Sequence, residues 1–235
     1  GCCDNICYSG VADIFRLPKF SLSFFRTQIA EGSMLPSGKM PYEVFIPAYR
    51  DEILSDTVMV YGNVDEVELV LNGKTIRRQT ADKGPDSDYI PVPNGGNGKN
   101  LHFPPFTFYG VPKERGVLKA VGYHQGKKVA EYTVKTPGVP ERLDITYFES
   151  GKPATKNDLL IVYVRMLDKQ GVLCPVNGIP VELSVQGGEI VGPTSYPLEA
   201  GVASFLVRTG EISKININAT GKGFSTRKSL KVGKE

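Results

Sequence analysis

Apolar and polar residues alternate with a period of two through most of the chain after about Tyr42, and this pattern restricts the fold to sheets with one buried face. In residues 66–71, for example, Val67, Leu69 and Leu71 carry the apolar face. Asn72-Gly73 follows, and this dipeptide is the most typical signal of a tight hairpin turn. Residues 117–134 repeat the plan around Gln125-Gly126. We therefore predict two hairpins in the first half of the chain.

The second half of the chain continues the alternation. Its predicted buried positions are Leu160, Val162, Val164, Met166, Val181, Leu183, Val185, Ile215, Ile217 and Ala219. Turn signals occur at residues 168–171 and 186–188. About seven short strands at roughly ten-residue spacing are typical of an immunoglobulin-like sandwich. Because the chain contains no tryptophan, it lacks the Cys-Trp-Cys framework of antibody domains.

Residues 136–140, Thr-Pro-Gly-Val-Pro, interrupt the alternation, since a proline pair around glycine stiffens a connector and does not fit a central strand. A domain boundary here predicts one sandwich over residues 34–137 and another over residues 138–235. The predicted fold class is therefore mainly β, with two tandem immunoglobulin-like sandwiches after a short N-terminal helix.

That helix is predicted from apolar residues that recur at a spacing of three and four. They are Val11, Ile14, Phe15, Pro18, Leu22, Phe25 and Ile29, with Phe20 and Phe24 widening the same face. Such an aromatic face is larger than a surface helix needs. It indicates either a terminal helix docked on the next domain or a fragment of a larger protein. We expect the helix to fold back onto the first sandwich or to bury its phenylalanines in a neighbouring molecule, as in a dimer.

Composition excludes several classes of partner. The chain has 235 residues, of which 40% are hydrophobic and 23% charged, and its net charge of +3 is too small to indicate nucleic acid. No apolar run is long enough to span a membrane, and the first residues lack a signal-peptide pattern. Cys2, Cys3, Cys7 and Cys174 form neither a ladder of disulfides nor a metal site, so we predict no cofactor.

No pattern in the chain is typical of a catalytic centre. The two histidines, His102 and His124, lie inside predicted strands, which leaves no evident nucleophilic triad. The glycine-rich residues 94–98 lack the spacing and the following helix of a phosphate-binding loop. Acidic residues such as Glu66 and Glu182 fall on polar strand faces, where solvation is the ordinary role of a carboxylate.

Aromatic residues near a Pro- and Gly-rich loop are the candidates for binding carbohydrate. Tyr89, Phe103 and Tyr109 flank this loop at residues 91–100 and could stack on sugar rings. Alternation must bury either Phe106 and Phe108 or Thr107 and Tyr109, so core packing accounts for at least half of the rings in this cluster.

Several segments resemble glycoside hydrolase family 2 enzymes of the β-galactosidase type. Residues 9–20 and 23–28 look like the last helix of the family's catalytic barrel. Residues 58–74, 104–108, 116–123 and 126–130 resemble the accessory domain that follows this barrel. The part from Pro140 onward is similar to the bacterial immunoglobulin-like module of invasins and adhesins.

The resemblance implies a glycosidase region without its active site. The family's acid/base glutamate follows an asparagine, and this chain contains no Asn-Glu pair. We therefore expect residues 1–33 to be a remnant of the barrel, and the whole chain to be a non-catalytic C-terminal fragment whose partner is that barrel. The resemblance also implies a periplasmic or cell-surface location in a bacterium. The alternatives are a module that binds polysaccharide and a structural or adhesion spacer.

Overall fold

The computed structural model describes residues 10–48, 55–82, 101–148 and 153–233, which divide into two compact units, Gly1–Thr136 and Pro137–Glu235. The first unit contains one helix and nine strands within these ranges. They are α1 (Phe20–Thr27), β1 (Met34–Leu35), β2 (Gly38–Lys39), β3 (Val44–Phe45), β4 (Val58–Gly62), β5 (Glu66–Leu71), β6 (Lys74–Thr80), β7 (Phe106–Phe108), β8 (Val117–His124) and β9 (Lys127–Lys135).

Two antiparallel sheets form the first sandwich. One has the strand order β3-β4-β7 and the other β6-β5-β8-β9, while β1 and β2 form a separate small ladder. Both predicted hairpins are confirmed. Asn72 and Gly73 have φ values of 51° and 80°, and Gln125 and Gly126 have φ values of 48° and 74°. Such pairs of left-handed residues match the twist of the strands that they join.

The core of the first unit includes residues of the predicted alternating faces. Val67 and Leu69 of β5 are completely buried, and so are Leu118 and Ala120 of β8, which pairs with β5. Phe106 of β7 is equally buried in the same cluster. Period-two alternation thus places one side of each strand between the two sheets.

The N-terminal helix is shorter than its apolar spacing predicts, because Val11 to Pro18 do not join it. The Asp13 carboxylate accepts the backbone N–H groups of Phe15 and Leu17 at 2.9 and 2.8 Å, and Arg16 has a φ of 62°. Since the residue before a proline avoids helical geometry, Leu17 also opposes a helix here. The side-chain hydrogen bonds and Pro18 therefore delay the helix until Phe20.

The second unit is a sandwich of eight strands within the described ranges. They are β10 (Arg142–Tyr147), β11 (Leu159–Leu167), β12 (Pro180–Gln186), β13 (Gly188–Ile190), β14 (Ser195–Pro197), β15 (Val202–Thr209), β16 (Lys214–Gly221) and β17 (Phe224–Lys231). Their orders are β10-β11-β15-β13 and β14-β12-β16-β17. Both units therefore have the predicted fold class, a mainly β architecture of immunoglobulin-like sandwiches.

The predicted apolar faces of the second unit meet in one core. Val162 and Val164 of β11 are completely buried, as are Val181 of β12 and Ile215 of β16. Phe205 of β15 lies in the same cluster and packs edge-to-face with the Tyr196 ring at a centroid distance of 5.4 Å. The core is therefore built without the tryptophan that antibody domains use.

A buried carboxylate holds the start of the second unit. Asp168 is 1% exposed and accepts the backbone N–H groups of Gly138 and Val172 at 2.7 and 2.8 Å. Burial by itself raises the pKa of this carboxyl group. Hydrogen bonds from the backbone of Gly138, Val172, Gln170 and Gly171 outweigh that effect and hold the pKa below its usual range.

The Asp168→Asn variant should lower the free energy of unfolding of the second unit by about 1–3 kcal/mol at neutral pH, because an amide cannot accept all of these donors. The folded-state pKa lies below the unfolded one, so the stabilisation is present above the unfolded pKa and is lost as pH falls through the folded one. Urea unfolding should show the difference between the two proteins narrowing below about pH 4.

The exposed Glu182 of β12 provides the control, and its Glu182→Gln variant should follow the wild type at every pH. A difference between Asp168→Asn and wild type that stays constant down to about pH 3 would contradict the role of the charge.

Candidate functional site

Of the three candidate sugar-contact residues, the structure describes Phe103 and Tyr109. Phe103 and Tyr109 are both half-buried, and Tyr89 lies outside the described residues. The Phe103 ring packs edge-to-face against His102 at a centroid distance of 4.5 Å. His102 lies in a bend, so its predicted place inside a strand is wrong, whereas His124 ends β8 as predicted. The assignment of sugar contacts to these rings stays a prediction.

Phe106, Thr107 and Phe108 are all buried, so β7 does not follow the expected alternation. Thr107 can be buried because its polar groups have partners. Its hydroxyl donates to the Asp82 carboxylate at 2.5 Å, and its carbonyl accepts from Gln79 Nε2 at 2.9 Å. Satisfied hydrogen bonds thus allow a polar residue on the second face of a short strand.

Two carboxylates on the strand faces of the first unit accept side-chain hydrogen bonds. Hydrogen bonds from Thr75 and Tyr123 lower the pKa of Glu68, and a hydrogen bond from Lys128 lowers that of Glu131. A glycosidase acid needs a carboxyl group with a raised pKa.

Within the described ranges, no cluster of three or more His, Cys, Asp or Glu residues could hold a metal ion. No helix in these ranges is both long and apolar enough to cross a membrane.

A set of side-chain contacts attaches α1 to the sandwich. On the helix side of the contact, Arg26 forms an ion pair with Glu43, whose carboxylate also accepts from Arg26 Nε at 3.1 and 3.2 Å. Next to the helix end, Gln28 makes two hydrogen bonds with the backbone of Phe103, at 3.0 Å to its carbonyl and 3.1 Å from its N–H group. The helix is therefore docked on the first sandwich, one of the two arrangements expected from the sequence.

Asn63 completes this attachment from the turn between β4 and β5. Its side-chain amide donates to the carbonyls of Ile29 and Pro41, both at 3.0 Å, and its carbonyl oxygen accepts the N–H group of Glu43 at 2.6 Å. We refer to Arg26, Gln28, Glu43 and Asn63 as the helix clamp. Sequence analysis missed these residues, since position 63 carries only the signal of an ordinary turn.

Aromatic contacts cover one side of α1, and its other side is exposed. Phe20 packs edge-on against Phe45 at a centroid distance of 5.6 Å, and Phe24 packs against Tyr61 at 5.0 Å. Phe25, in contrast, is 56% exposed.

Half of the exposed large hydrophobic residues of the described chain lie in residues 11–34, five among ten. We call these five the N-terminal apolar surface: Val11 (38% exposed), Ile14 (71%), Phe20 (36%), Phe25 (56%) and Met34 (74%). Because these residues lie in one segment of a folded unit, we take them as a candidate interaction surface.

The Glu43→Gln variant should loosen α1 by about 0.5–1 kcal/mol, because it removes one partner of a half-exposed ion pair. Trypsin should then cleave after Lys19 and Arg26 about two- to five-fold faster than in the wild type. Timed digestion with mass spectrometry measures this rate.

Glu66→Gln is the matched control, since Glu66 of β5 forms an ion pair of similar exposure with Arg78 of β6. It should leave cleavage of the N-terminal segment unchanged. Equal acceleration in both variants would mean that loss of an ion pair anywhere in the unit loosens α1.

Comparison with known proteins places this architecture in a family. Residues 55–130 match a family described as a domain of unknown function (DUF4982). The chain is 33% identical over 218 residues to a β-galactosidase of Thermoanaerobacter pseudethanolicus, covering 88% of this chain and 27% of that protein. It is 30% identical over 129 residues to a β-galactosidase of Rhizobium radiobacter, covering 54% of this chain and 92% of that sequence.

A solved β-glucuronidase from glycoside hydrolase family 2 superimposes with a TM-score of 0.75 at 22% identity, over 96% of this chain and 23% of that one. The chain belongs to glycoside hydrolase family 2 and matches a C-terminal part of its members. It spans only about a quarter of the length of the first of these relatives, with 27% of that protein matched.

Proposed function

We propose that this chain is an accessory, non-catalytic region of a β-galactosidase-like family 2 hydrolase, and that the catalytic barrel packs on its N-terminal apolar surface. The observation that carries the proposal is the exposed apolar surface of residues 11–34, on a unit that has a separate hydrophobic core of its own. The match covers 27% of the Thermoanaerobacter β-galactosidase. A complete protein of that size therefore has a large unmatched part that can cover this surface.

The chemistry of the described carboxylates supports a non-catalytic role. Retaining glycosidases need one carboxyl group as acid and base and a second as nucleophile, about 5–5.5 Å apart. Glu68 and Glu131 have lowered pKa values because they accept hydrogen bonds, and they lie on strands that face solvent. Neither has the environment of a proton donor.

The purified chain should therefore not hydrolyse 4-nitrophenyl β-galactoside above the rate in buffer, whereas the complete enzyme should hydrolyse it with retention of configuration. Release of 4-nitrophenol measures both rates. Turnover by the chain alone that disappears when one of its own carboxylates is replaced would overturn the non-catalytic assignment.

The surface itself can be tested in the complete enzyme. Phe25→Asp should destabilise it by about 2–3 kcal/mol, because the substitution removes a buried aromatic contact and places a charge in the interface. In the isolated chain, where Phe25 is exposed, the same substitution should have little effect on unfolding.

Ile212→Asp is the matched control, since Ile212 is 51% exposed on the second unit. This substitution should leave the free energy of unfolding unchanged in both the isolated chain and the complete enzyme. If Phe25→Asp and Ile212→Asp are equally neutral in the complete enzyme, the barrel does not pack on this surface.

A carbohydrate-binding role is the second candidate, favoured by the partial exposure of the Phe103 and Tyr109 side chains. Titration of the chain with galactans should then reveal binding that weakens by about tenfold or more in Phe103→Ala or Tyr109→Ala proteins that still fold. A spacer would bind no sugar. On the resemblance alone, we also propose that the complete enzyme is periplasmic or attached to the cell surface.

A further inference from the structure

We propose that Asn63 is a positioning residue that fixes the orientation of α1, and with it the N-terminal apolar surface, against the first sandwich. The part of this statement that concerns the catalytic barrel rests on the proposed function above.

The hydrogen bonds of Asn63 join the two ends of the segment between α1 and β3. Its Nδ2 donates to the Ile29 carbonyl, two residues beyond the end of α1, and to the Pro41 carbonyl. Its Oδ1 accepts from Glu43, and the residue is 3% exposed. Within this segment, regular pairing is limited to the two-residue strands β1 and β2. Asn63 therefore restrains a segment that has little regular structure.

Only a carboxamide of this length meets all three requirements. An aspartate offers no N–H donors, so two buried carbonyl groups would lose their partner and face a negative charge instead. A serine offers a single donor, and a glutamine is longer by one methylene group. The identity of the residue, and not only its polarity, is thus set by its surroundings.

The turn that carries Asn63 is itself held to the centre of the sandwich. The backbone N–H group of Asp65 donates to the Tyr123 carbonyl at 2.9 Å, and its carboxylate accepts from the backbone of Gln125 at 2.8 Å. Asn63 also donates its own backbone N–H group to the Glu43 carbonyl at 3.2 Å. A side chain on so well supported a turn can set the position of a neighbouring element.

The bonds to Glu43 connect Asn63 with the rest of the helix clamp. Asn63 hydrogen-bonds both the backbone N–H group and the backbone carbonyl group of Glu43. It therefore fixes the backbone from which the Glu43 carboxylate reaches Arg26 of α1. Asn63 thus acts on α1 at two points, directly through Ile29 and indirectly through the ion pair.

Hydrogen exchange on the full 235-residue chain tests this role. In Asn63→Asp, the backbone amides of α1 should exchange at least about tenfold faster than in the wild type, while those of β5 and β8 stay protected. Asn218→Asp, on the solvent-facing side of β16, is the control and should change neither region. Unchanged exchange in α1, or equal acceleration in β5, would overturn the proposal.

A measurement on the wild type keeps the proposal testable if the variant does not fold. In ¹⁵N-resolved NMR spectra, the side-chain NH₂ protons of Asn63 should exchange with water at least about tenfold more slowly than those of Asn218, because both protons are hydrogen-bonded away from solvent. Equal exchange rates would overturn the proposal.

The complete enzyme separates this inference from the proposed function. If Asn63→Asp loosens α1 and also lowers kcat of the complete enzyme with little change in KM, both stand. If α1 loosens while the kinetics of the complete enzyme stay unchanged, Asn63 positions the helix but the barrel does not depend on it, and the docking proposal fails.

Discussion

Burial of one face of every central strand is the interaction on which the rest of this structure depends. In the first unit, Val67 and Leu69 of β5 and Phe106 of β7 fill the space between the sheets. In the second, Val162, Val181 and Ile215 do the same. Each large side chain removed from water contributes about 1.5–3 kcal/mol. Because each unit closes its own core, the described chain separates into two compact bodies.

The helix α1 depends on this burial without being part of it. Eight residues are too few for a stable helix in water, so its order must come from tertiary contacts. Two edge-on ring contacts, the Arg26–Glu43 ion pair and the amides of Gln28 and Asn63 provide them. The helix therefore has one side bound to the sandwich and another, with Phe25, directed to solvent.

A helix with one side bound to the sandwich and the other side exposed is consistent with a region of a larger hydrolase. The described chain has two buried hydrophobic cores and an apolar N-terminal surface, and hydrogen bonds lower the pKa values of Glu68 and Glu131 on its strands. Under the proposed function, such a region holds and orients a neighbouring domain, because close-packed cores deform little. The chemistry of the family then lies in the part of its members that this chain does not match.

The sequence by itself determined the fold class, both hairpins and the apolar faces of the strands, because alternation and the Asn72-Gly73 and Gln125-Gly126 turns are local signals of structure. It overestimated the helix, since the Asp13 side chain and Pro18 act against a pattern that periodicity alone favours. It also misplaced His102 in a strand and did not foresee the burial of Thr107. Only the tertiary structure brought Asn63 to Ile29, 34 positions away, because a hydrogen bond between distant segments leaves no periodic trace in a sequence.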